Sequence, residues 1–382
     1  MATTYLITGG AGFIGANFVK YVLRTHGDAA RVVVVDALTY AGNIDNISAE
    51  IADGTVAFVH ADINDAEAMK RAFAEYDPDF VVNFAAETHV DRSITGPLIF
   101  AQTNILGTMT LMDAARHSWQ NADGSWREGK KFLHISTDEV YGSLKRDYDE
   151  PQPIDIPDEL KPLVAARNDV PASFGPGFFT EDNPLQPRSP YSAAKASADM
   201  MALAWHHTYG FPVNITRCSN NYGPMQFPEK LIPLMINNIQ QGRALPVYGK
   251  GLNVRDWLYV DDHCSAIDAV LWRGRIGQVY NIGGFNEKAN IDIVSEIIDL
   301  VAELTGAEPR HDLITYVTDR PGHDMRYAID PYKMATELGW VPLTTFAEGI
   351  RKTVQWYLEN PEWVRKIVSG EYQEYYKKQY NR

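Results

Sequence analysis

The sequence predicts an α/β fold in which a doubly wound parallel sheet carries a smaller C-terminal α/β lobe. The first observation is a series of short, almost unbroken apolar runs, typical of strands covered on both faces of a parallel sheet. These runs lie at residues 5–7, 31–35, 56–59, 80–84 and 132–135. The second observation is apolar spacing of three and four residues between them, at 13–23 and 65–75, which predicts helices. Strands alternating with helices predict the doubly wound sheet.

The pattern becomes mixed after residue 224. Helical spacing at 229–241 and 261–272, with a short strand at 246–248, predicts a lobe over the carboxyl ends of the sheet strands. We therefore expect a first domain at residues 1–224 and a lobe at 225–382 that binds substrate, with some chain crossing back. Residues 145–188, rich in Pro, Asp and Gly, predict a surface insertion in the first domain.

Composition excludes several classes of function. The net charge of −14 argues against a nucleic-acid or anionic-membrane partner, because both need basic patches. The two cysteines, Cys218 and Cys264, are too few for a disulfide framework and favour a reducing compartment. No run approaches the roughly 20 apolar residues that span a bilayer. We expect a cytoplasmic protein without a metal site, since adjacent His206 and His207 cannot share a helix face.

A glycine motif follows the first predicted strand and opens the first predicted helix. Gly9, Gly12 and Gly15 permit a tight turn and close approach of a pyrophosphate to the helix N-terminus. The alternative is an ordinary glycine-rich turn. Asp36 ends the second strand about 20 residues later, where an acidic side chain binds ribose hydroxyls. The pattern predicts a Rossmann-type dinucleotide site that prefers NAD to NADP, because a carboxylate repels a 2′-phosphate.

A second group of residues contains the candidates for catalysis. Tyr191 and Lys195 lie four residues apart and share a helix face, where an ammonium favours the phenolate that can take a proton from an alcohol. Thr137, Asp138 and Glu139 follow a strand at the open end of the sheet. Two adjacent acids can be driven to different pKa values, so that one is an acid and the other a base. The alternative for Tyr191 and Lys195 is a pair on an exposed helix. The alternative for Asp138 and Glu139 is a role in forming a turn.

These residues, with five longer segments, resemble the extended short-chain dehydrogenase/reductase superfamily and, within it, the dTDP-glucose 4,6-dehydratase family. The segments are AAETHVDRS (85–93), TDEVYG (137–142), SNNYGP (219–224), PEKLIP (228–233) and DRPGHD (319–324). The resemblance covers nearly the whole chain. The insertion at 145–188 is longer than the family pattern and bears on access to the site, not on its chemistry.

The resemblance implies a role for each catalytic residue. Tyr191, aligned through Thr137 and supported by Lys195, takes the proton of the glucose C4 hydroxyl while NAD⁺ oxidises C4. Glu139 then removes the acidified C5 proton, and Asp138 protonates the departing C6 hydroxyl. Return of hydride to C6 gives the 4-keto-6-deoxy sugar for deoxysugar biosynthesis, and NAD stays bound.

The resemblance also implies two sets of binding residues. Those for NAD are Gly9, Gly12, Phe13, Ile14, Gly15, Asp36, Ala37, Leu38, Thr39, Asp62, Ile63, Phe84, Ala85, Ala86, Thr88, Thr103, Tyr191, Lys195 and Asn221. Those for the nucleotide-diphosphate sugar are Thr88, Thr137, Asn220, Lys230, Leu231, Pro246, Val247, Tyr248, Arg255, Asn290, Arg320, Pro321, Gly322, His323 and Asp324. Asp62 could instead cap a helix. Arg255, a forked donor suited to a diphosphate, could instead pair with Asp256 or Asp261.

Other functions compete with this interpretation. A 4-epimerase or a UDP-glucuronate decarboxylase needs no acid at C6, so Asp138 and Glu139 argue against both. A UDP-glucose dehydratase differs only in the base, and one methyl group discriminates weakly. A non-catalytic NAD-binding sensor is the alternative from another class. Relatives dimerise through two helices, for which 98–116 and 192–209 are the candidates here.

Overall fold

The structure is a computed structural model that describes residues 2–144, 158, 160–165, 174–175, 177–319 and 322–368. Much of the predicted insertion and the predicted site residues Arg320 and Pro321 lie outside these ranges. Within the described ranges, no helix is both long enough and apolar enough to cross a membrane.

Thirteen strands are present in the described chain. They are β1 (Thr3–Thr8), β2 (Ala30–Asp36), β3 (Val56–His60), β4 (Phe80–Asn83), β5 (Lys131–Thr137), β6 (Val213–Cys218), β7 (Asn220–Tyr222), β8 (Leu245–Tyr248), β9 (Val254–Tyr259), β10 (Val279–Ile282), β11 (Glu287–Ala289), β12 (Ile314–Val317) and β13 (Arg326–Tyr327).

Fourteen α-helices accompany them in the same described ranges. They are α1 (Phe13–His26), α2 (Ser48–Ala52), α3 (Ala66–Tyr76), α4 (Val90–Thr95), α5 (Pro97–Phe100), α6 (Thr108–Trp119), α7 (Lys161–Val164), α8 (Pro190–Tyr209), α9 (Leu231–Gln240), α10 (Val260–Arg273), α11 (Asn290–Thr305), α12 (Tyr332–Leu338), α13 (Phe346–Glu359) and α14 (Pro361–Ile367). A π-helical turn, Ala101–Gly107, joins α5 to α6.

Seven strands form one parallel sheet in the order β10-β6-β5-β4-β1-β2-β3. Its strands are β-branched and buried on both sides, as the run Val32–Val35 illustrates. Helices α1 and α10 cover one face through Phe18 and Ile267, and α3, α6 and α8 cover the other through Phe73 and Leu111. The predicted doubly wound Rossmann-type sheet is confirmed.

A second core holds the smaller lobe together. Strand β9 pairs with β7, β11 and β13, and β8 pairs with β12. Helices α9, α11 and α13 pack around Ile236, Ile297 and Ile350. The chain after residue 224 is shared between the two units, because α10 packs on α1 and β10 joins the large sheet. The carboxyl ends of β1, β4, β5 and β6 therefore face the lobe.

Candidate active site

The glycine motif forms the floor of a cleft at the carboxyl ends of the strands. Gly9 has φ +66°, which favours glycine, and a Cβ there would lie 2.7 Å from the Ala85 nitrogen. A Cβ on Gly15 would lie 2.3 Å from the Gly9 carbonyl oxygen, so helix α1 can approach the turn only without one. Within the described chain no side chain caps α1, and its first N–H groups remain available to an anion.

Asp36 closes the next strand and ties the turn together. Its carboxylate accepts hydrogen bonds from the Ala11 nitrogen at 2.9 Å and the Leu38 nitrogen at 2.8 Å. Burial raises the pKa of Asp36, and these two backbone donors oppose that rise. Each carboxylate oxygen keeps a second lone pair for a ribose hydroxyl. The turn, the uncapped helix and the acid together fit a dinucleotide.

One cleft brings together nearly all the residues predicted to bind NAD. The predicted residues that line it are Gly9, Gly12, Phe13, Ile14, Gly15, Asp36, Ala37, Thr39, Asp62, Ile63, Phe84, Ala85, Ala86, Thr88, Thr103, Tyr191, Lys195 and Asn221. Leu38 does not line it, although its nitrogen bonds Asp36 and its φ of 51° shapes the turn. Asp62 accepts from the Asn64 nitrogen at 2.8 Å, while Asp65 provides the N-cap of α3.

Thr137 organises the acids at the end of β5. It is the N-cap of a 3₁₀ turn, Asp138–Tyr141, and its hydroxyl accepts from the Glu139 nitrogen at 3.3 Å. The same hydroxyl donates to Asp138 Oδ1 at 3.1 Å. Thr137, Asp138, Glu139 and Tyr191 all line the same cleft. Thr137 therefore holds the acid pair in place beside the tyrosine.

The surroundings of Asp138 favour its protonated form. It is 1% exposed, and burial, then the charges of Glu139 and Asp256, raise its pKa well above the ordinary value. In the part of the chain that the structure describes, Asp138 Oδ2 has no hydrogen-bond partner. A protonated carboxyl with an unengaged oxygen can donate a proton to a ligand in the cleft.

Tyr191 and Lys195 lie on consecutive turns of α8, whose start is fixed by a capping box between Ser189 and Ser192. Burial, followed by Glu139, raises the pKa of Tyr191 well above its ordinary value. Burial lowers the pKa of Lys195 to about 8, and its Nζ donates to the Ile135 carbonyl oxygen at 2.6 Å. Cationic charge beyond that of Lys195 is therefore needed to favour the phenolate, and oxidised nicotinamide carries such a charge.

The residues predicted to bind the sugar nucleotide divide into two groups. Thr88, Thr137, Asn220 and Lys230 line the cleft. The second group does not line the cleft and belongs to the smaller lobe beside it. Its members are Leu231, Pro246, Val247, Tyr248, Arg255, Asn290, Gly322, His323 and Asp324. Contacts that join the chain after residue 224 to the first domain include Lys230 Nζ donating to the Thr88 carbonyl oxygen at 3.0 Å and Tyr248 donating to Asp91 Oδ2 at 3.0 Å.

Arg255 lies in β9 and is 5% exposed. Its guanidinium donates to the carbonyl oxygens of Val254 at 2.8 Å and Asp324 at 2.9 Å, and lies 4.3 Å from the Tyr327 ring centroid. Asp261, one alternative partner, pairs with Arg24 at 3.7 Å. The contacts of Arg255 thus bring the 322–324 segment against β9.

The sequence interpretation missed an acidic group in the cleft. Glu87 and Glu229 both line it, and the Glu229 carboxylate accepts from Tyr40 at 3.3 Å and lies 3.8 Å from His89 Nε2. Burial raises the pKa of Glu229 to about 7. Arg92 stacks over Tyr40, 3.8 Å from its ring centroid. The available signal was that Glu229 and Glu87 lie inside the quoted segments 228–233 and 85–93.

Comparison with known proteins identifies the family. The model of the NAD dependent epimerase/dehydratase family matches residues 5–283. The chain belongs to this family. A dTDP-glucose 4,6-dehydratase of Shigella flexneri is 51% identical over 377 residues, 98% of each chain. A counterpart from Neisseria meningitidis is 49% identical over 373 residues, 96% of each chain.

Solved structures of the epimerase/dehydratase family place the chain among the dehydratases. The dTDP-glucose 4,6-dehydratase of Streptomyces venezuelae, with NAD bound, is 42% identical, covers 96% of this chain and 100% of its own, and gives a TM-score of 0.81. The UDP-glucose 4-epimerase of Thermotoga maritima, with UDP-glucose, is 27% identical with a TM-score of 0.74, covering 94% and 100%. The fold is thus common to both reactions, and the side chains in the cleft must distinguish them.

Proposed function

We propose that this protein is an NAD-dependent dTDP-glucose 4,6-dehydratase, which converts dTDP-glucose to dTDP-4-keto-6-deoxyglucose and water in deoxysugar biosynthesis. One observation carries the choice over epimerisation: Asp138, buried in surroundings that raise its pKa, is hydrogen-bonded to Thr137 in the cleft that Tyr191 also lines. Epimerisation inverts one carbon and needs no acid for a departing hydroxyl. Relatives at 47–51% identity over at least 96% of the chain support the same assignment.

The first step uses Tyr191, Thr137 and Lys195. Thr137 and Tyr191 line the same cleft, so a C4 hydroxyl placed between them can bond both side chains. Tyr191 then takes the hydroxyl proton as C4 is oxidised, and Lys195 stabilises the phenolate from the next turn of α8. Bound NAD supplies the hydride acceptor for C4 and the hydride donor for C6.

The second step uses the two carboxyl groups. With C4 as a ketone, the C5 hydrogen becomes acidic, and Glu139 removes it as base. Asp138, whose raised pKa favours its protonated form, protonates the C6 hydroxyl so that it leaves as water, and Glu139 returns its proton to C5 when hydride adds to C6. Their unequal environments assign the roles, because Asp138 is almost fully buried and Glu139 is only partly so.

The cleft fits a cofactor that stays bound through turnover. The Gly15 cradle and the uncapped start of α1 would hold the pyrophosphate, and Asp36 would hold the ribose. The nucleotide diphosphate would extend from Asn220 and Lys230 to the residues of β8, β9 and 322–324, with Arg255 near the phosphates.

The test is mass spectrometry of protein incubated with dTDP-glucose or UDP-glucose, without added NAD. We expect dTDP-glucose to lose one water and UDP-glucose to react more slowly, by roughly 10–200-fold for one methyl contact. Retained cofactor explains turnover without NAD. Absence of water loss from dTDP-glucose, even with NAD supplied, would overturn the proposal.

We also propose a cytoplasmic homodimer. Ile94, Leu98, Ile99, Leu106 and Met200 are exposed apolar side chains on α4, α5, the π-helical turn and α8, which pack against one another. A second copy of the same surface would cover them. Light scattering of the wild type should give twice the chain mass, and L98E/L106E should give a monomer. An unchanged mass for the variant would exclude this surface.

A further inference from the structure

A buried ion pair lies directly beneath the tyrosine and lysine of α8. Asp199 follows Lys195 by one helical turn, is 0% exposed, and accepts from Arg217 Nε at 2.8 Å. Arg217 also donates to the Tyr141 hydroxyl at 2.9 Å, and that hydroxyl donates to Asn281 Oδ1 at 2.8 Å. The guanidinium is therefore fixed on two sides, and Asp199 is fixed with it.

The groups around Lys195 differ in charge. Burial lowers the pKa of His134, whose Nε2 lies 3.7 Å from Asp199 Oδ1, so this imidazole is neutral. Burial raises the pKa values of the Cys218 thiol and the Tyr141 hydroxyl, which stay protonated. Burial also raises the pKa values of Asp138 and Tyr191, which favours their protonated forms. Burial raises the pKa of Asp199 as well, but the adjoining Arg217 guanidinium opposes that rise, so this ion pair supplies the opposing charges among these neighbours.

We infer that Asp199 is a positioning residue that keeps Lys195 charged at neutral pH, and that Arg217 sets how strongly it does so. The inference rests on the proposed roles of Tyr191 and Lys195 and extends them to a layer that touches neither sugar nor cofactor.

The charge on the Lys195 ammonium depends on opposing influences from burial and from nearby charges. Burial lowers the pKa of Lys195 to about 8, close to working pH, and the Asp199 carboxylate is the largest opposing influence. Without that carboxylate, two cations would remain in the buried layer, and Lys195 would lose its proton more easily. Without Arg217, the carboxylate would be unbalanced and would hold the proton on Lys195 more strongly.

The direct test is the titration of Lys195 itself. Protein labelled with ¹³Cε-lysine would be titrated by NMR, and the Lys195 signal assigned by its absence from K195M. We expect D199N to move the transition to lower pH by roughly one unit, R217Q to move it to higher pH, and D199E to restore it. A midpoint unchanged in D199N and R217Q would overturn the inference.

The second readout is the pH profile of dTDP-glucose dehydration. The alkaline limb should move in the same opposite directions in the two variants, whereas a merely structural role would lower the rate at every pH. If D199N does not fold, R217Q still tests the inference by its predicted upward shift. If the wild type dehydrates no sugar, the proposed function fails, while the NMR titration still decides the role of Asp199.

Discussion

The coenzyme half of the cleft and the sugar half are built in different ways. Most of the proposed coenzyme half comes from consecutive strand ends and their turns between Gly9 and Thr103, and the structure brings nearly all its predicted residues to one surface. The proposed sugar half combines cleft residues 88, 137, 220 and 230 with residues 231, 246–248, 255, 290 and 322–324 of the lobe beside the cleft. The first half depends on local backbone geometry, and the second depends on how the lobe contacts the sheet.

The largest effect should come from the coenzyme half. G15A would place a Cβ 2.3 Å from the Gly9 carbonyl oxygen, so α1 must move away from the turn. We expect purified G15A to retain less than about a tenth of the NAD held by the wild type, measured by absorbance after denaturation. The matched control is G96A, whose Cβ meets its nearest atom at an ordinary 3.8 Å. Full retention of NAD in G15A would contradict the proposed pyrophosphate site.

The second largest effect should come from Asp138, where the proposed coenzyme and sugar halves meet. D138N removes the proposed acid and should slow dehydration by about 10²–10⁴-fold. Because its raised pKa lets Asp138 keep its proton to higher pH, this acid should contribute to the alkaline limb of the wild-type rate, and D138N should keep only the part that belongs to Lys195. Steady-state rates across pH would measure both effects. The exposed D182N serves as control, and an alkaline limb in D138N identical to that of the wild type would show that Asp138 does not titrate in it.

The protonation of Glu229, at the contact between the lobe and the first domain, makes the free energy of unfolding depend on pH. Its folded pKa of about 7 exceeds its ordinary value of 4.5, so the folded state holds the proton more tightly. The stabilisation that Glu229 contributes is complete below pH 4.5 and is lost as pH rises through 7. The loss amounts to about 3 kcal/mol of unfolding free energy. E229Q should therefore flatten the fall in the unfolding free energy over this range.

Urea denaturation of wild type, E229Q and the exposed control E308Q at several pH values would measure that slope. The wild type and E308Q should lose stability in parallel between pH 4.5 and 8, and E229Q should lose less. Equal slopes in all three proteins would show that Glu229 does not hold its proton at the lobe contact.

The smallest effect concerns one hydrogen bond between the lobe and the first domain. Y248F removes the donor to Asp91 and should raise the KM for dTDP-glucose about 2–10-fold, with kcat nearly unchanged, since such a bond contributes about 0.5–1.5 kcal/mol. Y316F on the paired strand β12 is a matched control, because Tyr316 is 60% exposed. A fall in kcat without a change in KM would place Tyr248 in the chemistry instead.

Sequence alone was sufficient where function depends on neighbours along the chain. The alternating runs predicted the sheet, because buried parallel strands need apolar residues on both faces. The glycine spacing predicted the turn, because no other residue fits against Gly9 and Ala85. The helix face shared by Tyr191 and Lys195 also follows from a local rule.

The remaining features depend on long-range contacts that no local pattern encodes. Glu229 becomes an unusual acid because burial raises its pKa, and its neighbours Tyr40 and His89 come from about 140 or more residues earlier in the chain. The Asp199–Arg217 pair forms across α8 and β6. The sequence also did not show that burial outweighs the ammonium at Tyr191, because desolvation depends on packing from every side.

The most direct test of the account follows the hydrogen on C4 of the sugar. The protein would be incubated in ordinary water with dTDP-glucose carrying deuterium at C4, and the product examined by NMR. The account predicts a 4-keto-6-deoxy sugar with the deuterium on C6, because the hydride removed from C4 returns within the same closed site. Deuterium returned to C4 of an epimerised sugar, or a 6-deoxy product without deuterium at C6, would contradict it.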